Sequence, residues 1–408
     1  MKDNIIKISQ WVLLLLIISF LAGSISALFL ESLTLATALR SNNPLFVYLL
    51  PLGGLLIGLL YYHGAKGVEG GNNYLIREMH HPQKPIHWKI IPLVFIGTIA
   101  THLFGGSAGR EGTAVQMGGA LGDGVSHFFG WTKKHRKRLL RMGVAAGFSG
   151  VFGTPLAGAV FAFELARDKK LKLKDSIWVL LSSFGGHFSC LLWGTHHTQY
   201  SIKSFPDISV NTLLSTILAG LVFGSAAFFF SKFKHLFTQL FSKVPIPYLR
   251  PMIGGFILLV LYIFFDINAY LGMGISEIKS AFTQPMEKYS FFIKLMLTTL
   301  TLGAGFKGGE ATPLFFIGAM LGNLLFLIIP LPMDLLVGIG FIAVFGAATN
   351  TPIASTLIGA ELFGFSGIIY FGLATAIAYL ISGNNSVYKD QQIMLKKTSL
   401  IKRKSSMP

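Results

Sequence analysis

The sequence predicts an all-α, polytopic membrane protein built from two homologous halves. The first observation is composition: 52% of the 408 residues are hydrophobic and only 12% are charged, with a mean hydropathy of +0.62. Apolar runs of the roughly 20 residues that a membrane-spanning helix needs begin at Trp11–Leu30 and recur to the C-terminus. The second observation is an internal repeat. AGFSGVFGTPLAGAVFAFEL (146–165) and AVFGAATNTPIASTLIGAEL (343–362) align Pro155 with Pro352 and Glu164 with Glu361 at one constant offset.

The elements follow in order. The first run, 11–37, exceeds a signal-peptide core and lacks a convincing cleavage site, so it reads as a retained helix. Further apolar segments lie near 45–62, 88–104, 139–165 and 176–194, then 211–231, 250–268, 291–304, 312–330, 333–348 and 365–382. Repeat 1 spans about 10–200, repeat 2 about 205–390, and 391–408 is a basic tail, all within one transmembrane domain with no cytoplasmic regulatory domain expected. The net charge of +17 raises nucleic acid as a partner, but the basic residues sit in short connectors. Lys133–Arg141, Arg167–Lys174 and the tail from Lys396 to Lys404 follow the positive-inside pattern, which puts them in the cytoplasm and the chain in the cell membrane. The lone Cys190 excludes an intramolecular disulfide framework and a cysteine-based metal site. The histidines at 80, 81, 102, 187, 196 and 197 show no metal-ligand spacing, and no catalytic motif appears, so no enzyme, metal or cofactor is expected.

Each half also carries a glycine-rich break that runs into a short apolar helix: REGTAVQMGGALGD (110–123) and GGEATPLFFIGAMLGN (308–323). A third break, GGNNYLI (70–76), lies upstream. Irregular backbone survives at membrane depth only where it lines a cavity or is buried in protein. Interrupted segments at matching positions of two repeats point to a binding site at the midplane. A helix that starts there presents unpaired N–H groups and the positive end of its dipole, which suits an anion. Glycine-rich helix packing in lipid is the alternative. Sequence leaves open whether the repeats are inverted or parallel. Glu111, a carboxylate at a half-helix start, serves as an anion mimic when ionised and withdraws when protonated. Against that stands a helix cap or a pair with Arg110. Glu310, in the matching break, fits beside an anion if it is protonated for part of the cycle or turns to water. Glu164 and Glu361 read as structural residues near helix ends.

Gly109-Arg110-Glu111-Gly112-Thr113, VFGTPLAGAVFAFE (151–164) and Gly308-Gly309-Glu310-Ala311-Thr312-Pro313 together resemble the CLC family of anion channels and proton-coupled anion antiporters, over roughly 10–390. The details are similar to its fluoride/proton antiporter clade. Chloride members carry a GSGIP serine where this chain has Gly71, Asn72 and Asn73, a proline at Thr113, and apolar residues at Glu310 and Ala311. The resemblance implies the CLC fold with inverted repeats and broken half-helices, in a homodimer in the lipid bilayer that exports fluoride in exchange for protons. It makes Glu111 the gating, proton-accepting carboxylate, with Glu310 as a second proton-linked candidate. Gly71, Asn72, Asn73, Gly112, Thr113, Glu310, Ala311, Thr312 and Tyr388 would line the anion path. The asparagine amides would add donors for a small, strongly hydrated anion. The alternatives are a chloride/proton antiporter or chloride channel of the same fold and, more distantly, a non-transporting membrane protein.

Overall fold

The computed structural model describes residues 2–66, 70–129, 133–166, 173–384 and 386–391, and for 2–7, 133–134 and 173–174 the backbone alone. Most of Arg167–Lys174 and the tail from Lys396 lie outside the described residues. The first half comprises α1 (Lys2–Asn42), α2 (Leu45–Tyr48), α3 (Leu50–Gly64), α4 (Asn72–His80), α5 (Ile90–Leu103), α6 (Glu111–Phe128), α7 (Lys133–Phe152), α8 (Pro155–Leu165) and α9 (Leu173–Leu192). The second comprises α10 (Val210–Ser242), α11 (Leu249–Phe264), α12 (Ile275–Ala281), α13 (Ser290–Ala304), α14 (Ala311–Leu325), α15 (Met333–Thr349), α16 (Pro352–Phe363) and α17 (Ile368–Ile381). The all-α class holds, with no strand among the described residues. Ile8–Asn42 and Val210–Ser242 are each long and apolar enough to cross a bilayer, and the fold is that of a polytopic membrane protein.

Two expected segments divide: 45–62 becomes α2 and α3, with Leu49 between them. The run 139–165 becomes α7 and α8, because Gly153 turns into left-handed backbone at φ 85° and Pro155 can start a helix but not continue one. The run 211–231 is longer than its apolar stretch and continues to Ser242.

The halves meet through paired contacts. The N–H of Gly109 donates to the carbonyl of Gly309 and the N–H of Gly309 to that of Gly109, both at 2.7 Å. The N–H of Ser107 donates to Thr301 Oγ1 at 3.3 Å, and the N–H of Lys307 to Thr101 Oγ1 at 3.2 Å. Asp123 accepts from the N–H of Ile86 at 2.6 Å, and Asn323 from the N–H of Met286 at 2.9 Å. Every residue in these sets has its counterpart 200 positions away, as in 109 and 309 or 123 and 323. Downstream, Glu164 caps α16 through the N–H groups of Ile353 (3.1 Å) and Ala354 (2.7 Å). Glu361 caps α8 through Leu156 (2.9 Å) and Ala157 (2.8 Å). Such reciprocity is what a two-fold relation between the repeats produces.

Small residues bring the central helices into backbone contact, as lipid-embedded packing favours. A Cβ on Gly118 would lie 2.1 Å from the carbonyl oxygen of Gly143, where α6 crosses α7. A Cβ on Gly318 would lie 1.9 Å from that of Gly340, where α14 crosses α15. These crossings bury the two half-helices and bring their N-termini to one place.

Candidate functional site

The antiparallel Gly109–Gly309 pair sets α6 and α14 start to start. Glu111, the first residue of α6, is 2% exposed. Its side chain does not cap α6. Instead Oε2 accepts from Thr312 of α14 twice, from the backbone N–H at 3.1 Å and from Oγ1 at 2.7 Å. The N–H of Arg110 also points to Oε2, at 3.4 Å, and Arg110 Nε lies 3.6 Å from Oε1. A carboxylate thus sits on the N-terminus of the other half's helix, where unpaired N–H groups and the helix dipole favour negative charge.

Glu310 precedes α14 and is its capping residue in sequence position. Oε1 accepts from Lys234 Nζ at 2.5 Å, and Oε2 is buried with no hydrogen-bond partner. Lys234 also donates to the carbonyl of Val387 at 3.0 Å and stands 6.0 Å from the ring centroid of Tyr388. Lys234 lies just beyond the apolar run 211–231, so sequence reading misses it. A charge in an apolar helix was the available signal. The ammonium thus holds one oxygen of the carboxylate and offsets its charge.

A cavity of about 670 Å³ reaches this pair. Its mouth includes the exposed Lys66, Gly70 and Pro247, and its inner wall the buried Asn72, Thr113, Glu310 and Tyr388. Gly71 and Asn73 line it too. Glu111, Gly112, Ala311 and Thr312 are not among its lining residues and lie behind it, at the junction of α6 and α14. Asn72 bridges the two zones. Its Nδ2 lies 2.9 Å from where a Cβ on Gly112 would stand, and its Oδ1 is buried without a partner. Asn73 Oδ1 accepts from the N–H of Asp390 at 3.4 Å. Thr113 shares a 2.7 Å hydrogen bond with Thr98 of α5, so its hydroxyl is held on the cavity wall. Gln116, unnoticed in the sequence, donates to the carbonyl of Gly112 at 3.1 Å and lines the cavity beside Gly71.

Comparison with known proteins gives a consistent result. Residues 53–383 match the family model described as voltage gated chloride channel. The chain is 40% identical over 399 residues to a chloride/fluoride channel protein of Pseudomonas syringae pv. tomato, covering 96% of this chain and 88% of that one. It is similar to the crystal structure of a CLC-type fluoride/proton antiporter, with a TM-score of 0.91 and 33% identity over 95% of this chain and 99% of that one. A slow cyanobacterial Cl⁻/H⁺ antiporter shares the fold at a TM-score of 0.81 and 18% identity, covering 97% of each chain.

Proposed function

The chain belongs to the CLC family, the voltage-gated chloride channel family, and from that premise we propose that it exports fluoride across the cell membrane in exchange for protons. Anion transport coupled to protons is named for several similar proteins, among them the CLC-type fluoride/proton antiporter and the cyanobacterial Cl⁻/H⁺ antiporter; fluoride as the anion and this proton route are our reading for this chain. The observation that carries it is the Glu111 carboxylate seated on the N–H and hydroxyl of Thr312 at the start of α14.

Ionised, Glu111 occupies the anion position and closes it. Protonation removes its charge, and the Thr312 N–H and hydroxyl then exchange a neutral acid for a fluoride ion, which takes the same donors. Loss of the proton returns the carboxylate to α14 and expels the anion. One position thus alternates between proton-linked carboxylate and fluoride, which couples the two flows. The part-buried Lys234–Glu310 pair supplies an ammonium on the cavity side, and Asn72 beside Gly112 supplies an amide. These compact donors replace the strong hydration that fluoride surrenders on leaving water.

The test is a fluoride-electrode assay on liposomes holding the purified protein, with chloride as competitor and with or without a proton gradient. The wild type is expected to move fluoride uphill on a proton gradient and to favour it over chloride. Glu111→Gln, isosteric but unable to cycle a proton at neutral pH, is expected to lose coupled exchange. Normal coupling in that variant would overturn the mechanism, and equal or better chloride exchange by the wild type would overturn the substrate.

A further inference from the structure

The cavity wall holds a cation that the exchange cycle leaves idle. Lys307, in the break between α13 and α14, lines the same cavity as Thr113, Lys234 and Tyr388. Its Nζ lies 4.1 Å from the ring centroid of Tyr61 on α3. No carboxylate among the described residues comes within ion-pair distance of it. The Tyr61 hydroxyl is buried beside the same cavity and has no hydrogen-bond partner. A cation–π contact offsets only part of what an ammonium loses on withdrawal from bulk water. Packing alone is a poor reason to keep the charge.

The other half of the molecule shows that the fold does not need it. Ser107 is the counterpart of Lys307, 200 positions earlier. The two backbone N–H groups make matching bonds, Ser107 to Thr301 Oγ1 and Lys307 to Thr101 Oγ1. The serine hydroxyl then turns inward to Thr298 at 2.8 Å, whereas the lysine reaches into the cavity. Gly97 of α5 makes room for it: a Cβ there would stand 3.0 Å from Lys307 Cγ and 3.1 Å from Tyr61 Cε2. Among the described residues, the lining carries Lys66, Lys234, Arg250 and Lys307 against the one carboxylate of Glu310. Charges of one sign along a low-dielectric wall concentrate counter-ions and speed their capture.

We propose that Lys307 and the Tyr61 hydroxyl form an anion-recruiting subsite in the vestibule, which draws a small monovalent anion from water toward Lys234 and Thr312. The inference takes its substrate from the exchange proposed above. It predicts a change in anion capture and not in the exchange step itself.

Two measurements test it on the full chain. In liposomes, initial anion release is followed across fluoride concentrations, and again across chloride, for the wild type, Lys307→Ser and Lys307→Arg. The serine variant copies the residue that the first half already accommodates. Its half-saturating anion concentration is expected to rise about fivefold or more at low ionic strength, with the maximal rate unchanged. The gap should shrink in about 1 M impermeant salt, where screening shortens to about 3 Å, and arginine should restore most of the loss. An unchanged half-saturation, or a fall in maximal rate that arginine does not rescue, overturns the subsite. The second measurement needs no transport. Cys190, the single cysteine, is buried, so Tyr61→Cys supplies a reporter for anionic and cationic methanethiosulfonates, with and without Lys307→Ser. The anionic-to-cationic rate ratio should fall when Lys307 is removed; an unaltered ratio also overturns the subsite. If the wild type exchanges neither anion, the functional reading fails while this ratio still decides on Lys307.

Discussion

The two glycine-rich breaks share a backbone and differ in charge. Around the Gly109–Gly309 pair, Ser107, Arg110, Glu111 and Gly112 of the first half face Lys307, Glu310, Ala311 and Thr312 of the second, each 200 positions apart. Glu111 is therefore not the structural twin of Glu310; its twin is Ala311, and Glu310 stands where the first half has Arg110. The difference teaches that duplication supplied the scaffold and substitution supplied the chemistry. The buried carboxylate of Glu111 comes from one half, and the donors that it accepts from, Thr312 N–H and Oγ1, come from the other. A symmetric pair of breaks carrying the same residues would offer two equal sites and no reason for a carboxylate to cross between them.

The comparison can be broken at the scaffold first. Gly118→Val and Gly318→Val place side chains where a Cβ would already approach a facing carbonyl oxygen to 2.1 and 1.9 Å. Overpacking of this kind costs about 1–3 kcal/mol or more, and with backbone as the obstacle we expect the upper end or beyond. Size-exclusion profiles of detergent-solubilised protein should show loss of folded material for both variants. A tolerant half would mean that the two crossings are not equivalent.

The chemistry should be asymmetric where the scaffold is symmetric. Thr312→Val keeps the backbone N–H but removes the hydroxyl that meets Glu111 at 2.7 Å. A hydrogen bond to a charged group contributes about 1.5–3 kcal/mol, so the half-saturating fluoride concentration is expected to rise about tenfold. Its counterpart, Gly112, has no side chain to lose. A fluoride titration that leaves Thr312→Val at the wild-type value would remove the hydroxyl from the anion site.

The smallest expected effects again test symmetry. Glu164→Gln and Glu361→Gln each leave one oxygen to accept from two backbone N–H groups. Loss of a helix-capping bond costs about 1 kcal/mol, and the two variants should lower thermal stability by similar amounts. A large difference between their melting profiles would show that one cap carries a functional load that the other does not.

The class and the repeat were legible because both rest on local information. Hydrophobic runs, glycine and proline mark helices and breaks wherever the chain carries them, and the Pro155/Pro352 and Glu164/Glu361 offset exposes duplication without any knowledge of packing. The division of 139–165 was legible too, in Gly153-Thr154-Pro155, although the apolar run concealed it. Lys234 was within reach as a charge on an apolar helix. Its partnership with Glu310 was not, since 76 positions separate the two residues. Asn73 shows the same limit: its place on the cavity wall and the bond from the N–H of Asp390 to its oxygen join segments 317 positions apart.

By itself, then, the sequence determined a helical membrane protein with two duplicated halves, each broken by glycine, and a carboxylate at the first break. Residue type and order decide these things, because the bilayer demands internally satisfied backbone and tolerates interruption only where protein encloses it. Only the tertiary structure decided which helix Glu111 caps, what neutralises Glu310, and which cation the vestibule holds in reserve. Those outcomes depend on crossing two repeats start to start, and a hydrogen bond between residues 201 positions apart leaves no trace in the sequence around either one.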